Sequence, residues 1–300
     1  MQKHRAANSA ITLCAAIFIM CLAVSAAQAE IFYDASVKGA YEDNVVGLLS
    51  YKRGGYGGMP VTGTGPGAGA MMAQKQMGPG GGMGGSIPQD TGTQSKSDTS
   101  INIFADIGGS TKVSPGTSLF LIGGAQHTSY STFTQFDFTI GGLSAGIYNV
   151  FSNVFSGKLA INGAVKNYQD SQRNGTAYGA TLSLRERLTP IFWLRETYDY
   201  EQNKADSPLF TYTGNSGSIW AGLSALPGTN FLLGYNYLVR DYNEPSGFKV
   251  TASTISLGVE HEFVKKWYID ARYDHQISDS NVPGTNSTDN IYSIGLRYSY

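Results

Sequence analysis

Apolar and polar residues alternate one by one along most of this chain, and beyond residue 30 no apolar stretch reaches the length of a membrane helix. In the segment 154–168, Leu159 and Ile161 fall on one face while Lys158 and Asn162 fall on the other. A period of two is typical of β-strands with one apolar face. The 14% of charged residues is also low for a water-soluble domain of this length. The pattern therefore predicts an all-β fold, a closed antiparallel transmembrane β-barrel.

The alternating segments number about twelve, and each is long enough to cross a membrane as a tilted strand. Tight turns and longer polar connections follow one another in alternation between them. This asymmetry is typical of outer-membrane barrels, whose short turns face the periplasm. The predicted strands are 31–42, 99–110, 117–127, 133–146, 154–168, 176–188, 192–203, 213–225, 230–242, 250–263, 267–278 and 290–300.

The first residues indicate an export signal, which divides the chain into a signal peptide at 1–29 and a barrel at 30–300. A positively charged start precedes an apolar run from Ile11 to Val24, and Ala27-Gln28-Ala29 forms a small-x-small cleavage site. These three parts are typical of a secretory signal, and the run is too short for a spanning helix of about 20 residues. We therefore expect Sec-type export and a location in the outer membrane of a Gram-negative cell.

The cysteine count and the charge balance exclude several function classes. Both cysteines, Cys14 and Cys21, lie inside the predicted signal, so the mature barrel is expected to contain no disulfide and no thiolate site. The 21 basic and 22 acidic residues do not suggest a nucleic-acid partner. The glycine-rich stretch lacks the Lys-Ser/Thr of a nucleotide-binding loop. We expect neither a cofactor nor a metal.

The segment 54–98 differs from the rest of the chain because glycine dominates it. Glycine carries the largest ordering cost, and few residues there could form a core, so the segment is predicted to be a flexible first outer loop. Two alternatives remain. The loop folds inward and obstructs the pore, or its thioethers bind Cu(I). The methionines that the second alternative would use are irregularly spaced: Met59, Met71, Met72, Met77 and Met83.

Charged residues on the predicted inward faces are the main candidates for function. Basic residues gather on strands five to seven, and acidic residues on strands one, ten and eleven, with Lys38, Arg272 and Arg297 reducing the acidic excess. Such charges set the selectivity of a water-filled pore, or they pair with each other and fill the interior. The ten candidates that line the lumen are Lys158, Lys166, Arg185, Arg187, Arg195, Asp34, Glu42, Glu260, Asp270 and Asp274.

Two groups of residues test the face assignment. Glu196 has the parity of Leu194 and Tyr198, which are assigned to lipid, where a carboxylate is costly. Either a β-bulge resets the register there, or that strand is assigned to the wrong face. Aromatic residues near strand ends are expected to form girdles at the membrane interfaces. These are Tyr41, Tyr168, Trp193, Trp267 and Tyr268.

A search for catalytic residues finds His127 and Ser129 two positions apart on one strand face near the outer rim. Outer-membrane phospholipases use a His-x-Ser pair with an Asn that orients the imidazole, because a hydroxyl needs an adjacent base. The flanking residues do not resemble that family's motif, and no orienting Asn follows at the right place. Asp274 and His275 face opposite sides of their strand and cannot pair. We expect no enzyme, with a lipid hydrolase as the least favoured function.

The motif Tyr41-Glu42-Asp43-Asn44-Val45 closes the first predicted strand. It resembles the Tyr-Asp-Asp-Asn-Val/Ile element at the first hairpin of a family of bacterial outer-membrane β-barrel porins. The resemblance implies an outer-membrane barrel and assigns no functional residues.

The chain ends on an apolar and aromatic strand face, which resembles the C-terminal signal recognised when outer-membrane barrels are assembled. The residues of that face are Tyr292, Ile294, Leu296, Tyr298 and Tyr300. The expected partners are therefore outer-membrane lipid and the barrel-assembly machinery. The preferred function is a porin-like passive channel for small polar or ionic solutes. The alternative is a non-conducting barrel with a structural or surface-interaction role.

Overall fold

The computed structural model describes residues 30–45, 97–282 and 286–300. Nearly all of them lie in twelve strands: β1 (Glu30–Glu42), β2 (Asp98–Ser114), β3 (Thr117–Tyr130), β4 (Phe138–Val150), β5 (Phe155–Tyr168), β6 (Gly175–Arg187), β7 (Phe192–Ala205), β8 (Tyr212–Leu226), β9 (Thr229–Tyr242), β10 (Lys249–Val264), β11 (Trp267–Ser280) and β12 (Ser287–Ser299). The predicted signal peptide, and the glycine-rich segment up to residue 96, lie outside the described residues.

The strands form one closed sheet. Each strand pairs with its sequence neighbours, and β1 pairs with β12 to complete the circle. At this seam the amide of Tyr300 donates to the carbonyl oxygen of Tyr33 at 2.9 Å. Closure leaves no sheet edge unpaired, as a strand-built membrane span requires. The predicted antiparallel barrel of twelve strands is confirmed. Among the described residues, no helix is long and apolar enough to cross a membrane.

Alternation along the strands separates an apolar outside from a polar inside. In β5, Leu159 and Ile161 are 55% and 65% exposed. Ala160, which lies between them, is only 2% exposed, and Lys158, which precedes Leu159, is only 4% exposed. Large apolar side chains are exposed on the outward positions of the other strands too, while the buried set contains many polar and charged side chains. A one-residue change of register would exchange these faces, so the pattern fixes the pairing.

The two ends of the barrel differ. At the short-turn end, tight turns join β2 to β3 and β8 to β9, and Gly116 and Gly228 have φ of +83° and +69°. A side chain at Gly116 would also meet the carbonyl oxygen of Val150, since its Cβ would lie 2.8 Å away. At the long-loop end, three connections each contain a short 3-10 helix. These are Thr134–Phe136, Ser171–Arg173 and Pro208–Phe210.

The start of β4 differs from its prediction. The predicted strand began at residue 133, whereas β4 begins at Phe138. The preceding residues form a turn, because Phe133 and Phe136 pack with Tyr130 at the long-loop end and Asp137 accepts the amide of Tyr130 at 2.7 Å. Packing of aromatic side chains therefore shortens a segment whose composition suits a strand.

The structure places Glu196 on the outward face, as the alternation along its strand predicts. Strand β7 pairs continuously with both neighbours and has no bulge, so Glu196 lies on the exposed outward face and neither predicted explanation holds.

The girdle prediction is wrong for three of its five aromatics. Tyr41 and Trp267 are exposed, but Tyr168 and Trp193 are buried inside the barrel and Tyr268 has the inward parity of Asp270. Position near a strand end does not decide the face, since parity does.

Candidate functional site: the charged interior

The structure places most of the ten predicted lumen charges inside the barrel. Eight are buried: Asp34, Glu42, Lys158, Lys166, Arg195, Glu260, Asp270 and Asp274. Arg185 is half-buried on the same side as Arg195. Arg187 differs, because it is the last residue of β6 and is exposed at the short-turn end.

An ion-pair network covers the acidic side of the interior, formed by β10, β11, β12 and β1. The guanidinium of Arg297 joins Glu260 Oε2 at 2.5 Å and Asp34 Oδ2 at 3.2 Å. Lys38 Nζ lies 3.0 Å from Asp270 Oδ2. Buried carboxylates need such partners, because an isolated buried charge is strongly unfavourable. The basic residues expected to reduce the acidic excess thus do so by direct pairing.

A second group on the same side is centred on Arg272. Its Nε donates to Asp274 Oδ1 at 2.6 Å and one terminal nitrogen donates to Ser256 Oγ at 3.0 Å. The hydroxyl of Ser256 in turn donates to the same Asp274 oxygen at 2.5 Å. The guanidinium also lies 4.9 Å from the ring centroid of Trp220. These contacts fix the position of the Arg272 guanidinium.

The basic side is organised around aromatic rings. Arg185 and Arg195 are cross-strand partners on β6 and β7, and their guanidiniums lie 5.0 Å and 5.3 Å from the ring centroid of Trp193. Lys158 Nζ lies 5.7 Å from the ring centroid of Phe120. Cations attract the face of an aromatic ring, and the attraction is stronger away from water. Positive charge is therefore concentrated near the short-turn end of β5 to β7.

Two acids on the basic side were missed by the prediction. Glu201 accepts from Lys166 Nζ at 3.1 Å and from the hydroxyl of Tyr212. Asp199 accepts from Thr181 at 2.6 Å. Both acids share the parity of Arg195 on β7, so the alternation contained the signal. The basic side consequently carries compensating carboxylates nearer its long-loop end.

Side chains from the three connections that contain 3-10 helices meet at the long-loop end. Phe136, Arg173 and Phe210 come from different connections, and all three are buried. The guanidinium of Arg173 lies 5.3 Å from the ring centroid of Phe136 and 5.2 Å from that of Phe210. Its Nε lies 3.3 Å from Asp170 Oδ2. We call Phe136, Arg173 and Phe210 the mouth cluster.

The motif at 41–45 fastens the first strand to the last at the same end. Asn290 donates its backbone amide and its side-chain amide to the two carboxylate oxygens of Asp43, at 2.8 Å and 2.6 Å. The amide of Asn44 donates to Asp289 Oδ1 at 3.1 Å, and Val45 packs on Tyr130. The motif thus contributes to barrel closure. Among the described residues, no group of three or more potential ligands is placed to hold a metal ion.

Comparison with known proteins gives a likeness in structure alone. No protein-family model matches the sequence, and no curated protein is significantly similar to it. An outer membrane channel from Pseudomonas putida F1 has a TM-score of 0.58 and 7% identity, covering 90% of this chain and 96% of that one. The NanC porin has a TM-score of 0.50 and 10% identity, covering 88% of this chain and 98% of that one. The likeness shows the fold.

Proposed function

We propose that this protein is a porin-like passive channel for small polar or ionic solutes in the outer membrane of a Gram-negative cell. The observation that carries the proposal is the closed barrel with an apolar outside and a charged interior. A channel that shares the fold, from Pseudomonas putida F1, supports it. A polar lumen inside an apolar belt is the arrangement that outer-membrane channels use.

The paired charges suggest a narrow passage with charge selectivity. Arg297 and Lys38 neutralise much of the acidic side, whereas Arg185 and Arg195 stack on Trp193 near the short-turn end. Fixed charges that line a pore set which ions enter it. We therefore infer that the short-turn mouth favours anions, and that this channel function needs no catalysis in the lumen.

Planar-bilayer conductance with ion selectivity tests the proposal directly. The wild-type barrel is expected to give discrete conductance steps, with a reversal potential in a salt gradient that indicates anion preference. Arg185→Glu should shift that preference toward cations, because it reverses a charge beside Trp193. Arg187→Glu is the matched control, since Arg187 is exposed at the end of the strand, and its shift should be smaller. A folded barrel that gives no conductance either as wild type or after removal of the mouth cluster would refute the channel.

A non-conducting barrel is the second candidate, and the mouth cluster favours it. Phe210 is fully buried and Arg173 is 8% exposed, so side chains occupy the long-loop end. A barrel filled in this way could serve as a structural or surface-interaction protein. Absence of conductance in both the wild type and a variant that removes the mouth cluster would select this candidate over a closed channel.

Location and assembly complete the proposal. We infer export through the signal at 1–29, a mature start at Glu30, and recognition of β12 by the barrel-assembly machinery, with membrane lipid as the other partner. Tyr300 supports this role for the last strand, because its ring stacks on Tyr33 at 5.0 Å and closes the seam. Intact-mass analysis of the outer-membrane fraction tests the cleavage site. Removal of Tyr300 should lower the assembled fraction in cells.

A further inference from the structure

His127 lies between two hydroxyl groups on the outside of the barrel. Its Nε2 is 2.9 Å from Ser129 Oγ, and its Nδ1 is 2.9 Å from Thr139 Oγ1. Ser129 comes from the same strand, β3, while Thr139 is the direct cross-strand partner of His127 on β4. The partner of the imidazole is therefore a threonine on the neighbouring strand, which the sequence search for an asparagine did not find.

We propose that Ser129, His127 and Thr139 form a serine-nucleophile site for acyl esters on the outer face of the barrel. When Nδ1 carries the proton, it donates to Thr139 Oγ1, and Nε2 is left to accept the proton of the Ser129 hydroxyl. A serine hydroxyl becomes a nucleophile when a base oriented by a third group accepts its proton. Ser129 and His127 are the catalytic residues, and Thr139 is a positioning residue.

The position of the site indicates a membrane amphiphile as substrate. His127 is exposed on the outward face and is three residues from the end of β3 at the long-loop end. At about 3.3 Å per residue, this places it roughly 10 Å from that end, beside the lipid interface of a barrel in the membrane. Ester groups of membrane lipids lie at that depth, between polar headgroups and acyl chains.

Small residues next to the site leave space for an acyl chain. One rung toward the short-turn end, Ala125 is paired with Gly141 on the outward face. A Cβ added at Gly141 would meet nothing within 4 Å, and the same holds at Gly163. Leu143 and Val165 stand exposed beside these positions. These positions leave open space on the outward face between the site and the middle of the strands, and we assign that space to the acyl chain.

Two more hydroxyls lie one rung further toward the long-loop end. Thr99 Oγ1 and Ser131 Oγ are 2.7 Å apart, and both residues are exposed. Thr99 lies two residues before Ile101, the cross-strand partner of Ser129. Hydroxyl donors can stabilise the negative oxygen of a tetrahedral intermediate. One of the two hydroxyls donates to the other, so a single O–H is left to donate elsewhere, and we assign that donor to the ester carbonyl.

The reaction that these groups support is hydrolysis in two steps. Ser129 Oγ attacks the ester carbonyl carbon while its proton passes to His127 Nε2, and the alcohol leaves with that proton as the carbon–oxygen bond breaks. Water then attacks the acyl-serine and gives its proton to the same nitrogen. The proton returns to Ser129 Oγ as the carboxylic acid departs, so atoms and charges balance.

A second histidine provides an internal comparison. His261 Nδ1 lies 2.8 Å from Thr229 Oγ1, its cross-strand partner, at the short-turn end of the outward face. Two residues beyond His261 stands Phe263 rather than a serine. A histidine–threonine pair alone is therefore a structural contact, and the serine distinguishes the pair at His127.

Labelling with a fluorophosphonate, which reacts with activated serines, tests the proposal on the full-length protein folded in detergent. We expect the label on Ser129, located by mass spectrometry, and none on Ser129→Ala. His127→Ala should slow labelling by about 10²- to 10⁴-fold, the usual contribution of a general base. Thr139→Val should slow it less, and Thr139→Ser should restore it. His261→Ala is the matched control and should label like the wild type, with each variant's fold checked by its heat-modifiable migration.

Ester hydrolysis separates chemistry from lipid binding. Gly141→Leu should raise KM for a long-chain ester more than KM for p-nitrophenyl acetate, because its side chain fills the open space beside the site that the longer acyl chain needs. A folded wild type that is not labelled at Ser129, and hydrolyses no ester faster than Ser129→Ala, would overturn the proposal. The hydroxyls would then only satisfy the polar atoms of His127. The channel proposal would stand unaffected, since it concerns the interior.

Discussion

The guanidinium of Arg173 lies 5.2 Å from the ring centroid of Phe210, although the two residues come from different connections at the long-loop end. The same guanidinium lies 5.3 Å from the ring centroid of Phe136, so one cation links three connections at the long-loop end. Cation–π contacts of a desolvated arginine contribute about 2 kcal/mol. The mouth cluster therefore joins side chains that are distant in sequence.

Removal of Arg173 is expected to open the long-loop end. Arg173→Ala breaks both aromatic contacts, so the single-channel conductance should rise above that of the wild type. Lys249→Ala is the matched control, because it removes a positive charge at the same end from a loose, exposed pair with Asp241 at 3.9 Å. Planar-bilayer recording measures both. Equal conductance in the wild type and Arg173→Ala would show that the mouth cluster does not limit flow.

A single charged residue introduced on the lipid-facing side tests the assignment of the outward face. Ile161 is 65% exposed in the middle of β5, so Ile161→Arg should lower the free energy of unfolding by about 2–4 kcal/mol. Asn167→Arg lies on the same face near the strand end and should cost only about 0–1 kcal/mol. Urea unfolding in lipid vesicles gives both values. A larger loss at position 167 would contradict the assigned depth.

The buried pair between Lys166 and Glu201 should be far more important for stability than an exposed pair. The two side chains are 1% and 8% exposed and lie 3.1 Å apart. Lys166→Met leaves the carboxylate of Glu201 without its ammonium partner, which is expected to cost about 3–5 kcal/mol. Lys249→Met breaks an exposed pair worth about 0–1 kcal/mol. If both variants unfold at the same urea concentration, the buried pair contributes no more than the exposed one.

The hydrogen bonds between Asp43 and Asn290 connect the two ends of the chain at the barrel seam, and mutation tests their contribution. Asp43→Ala removes the acceptor of two hydrogen bonds from Asn290 and should destabilise the barrel by about 1–3 kcal/mol. Asp241→Ala removes an exposed carboxylate at the same end and serves as control. The temperature at which the folded band disappears on a gel compares them. An unchanged temperature for Asp43→Ala would mean that the backbone pairing alone holds the seam.

Much of the barrel could be predicted from the sequence because alternation is a local property. The alternation of neighbouring residues is enough to predict the faces of Leu159 and Lys158. The same alternation correctly predicts that Asp34, Glu260 and Asp270 lie inside the barrel. The alternation also indicates that Asp199 and Glu201 face inward, although they were not among the predicted lumen residues. The girdle prediction was wrong for aromatic residues such as Trp193, because it used their position near a strand end instead of their parity along the strand.

The functional contacts were less predictable because they cross between strands or loops. Thr139 lies twelve positions from His127 in the chain, yet strand register makes it the direct partner. Arg297 joins Asp34 and Glu260 only because β12 lies beside β1 and near β10 in the closed sheet. Such neighbours follow from pairing and closure, which no single segment encodes.

The sequence by itself determined the fold class, the strand number and the two faces, since each depends on the period-two pattern along the chain. Tertiary structure decided which charges pair, that Phe136, Arg173 and Phe210 meet at the long-loop end, and that a threonine meets His127. The physical reason is that hydrogen bonds and ion pairs act over about 3 Å. Residues far apart in sequence come that close only after the sheet has twisted, aligned its register and closed.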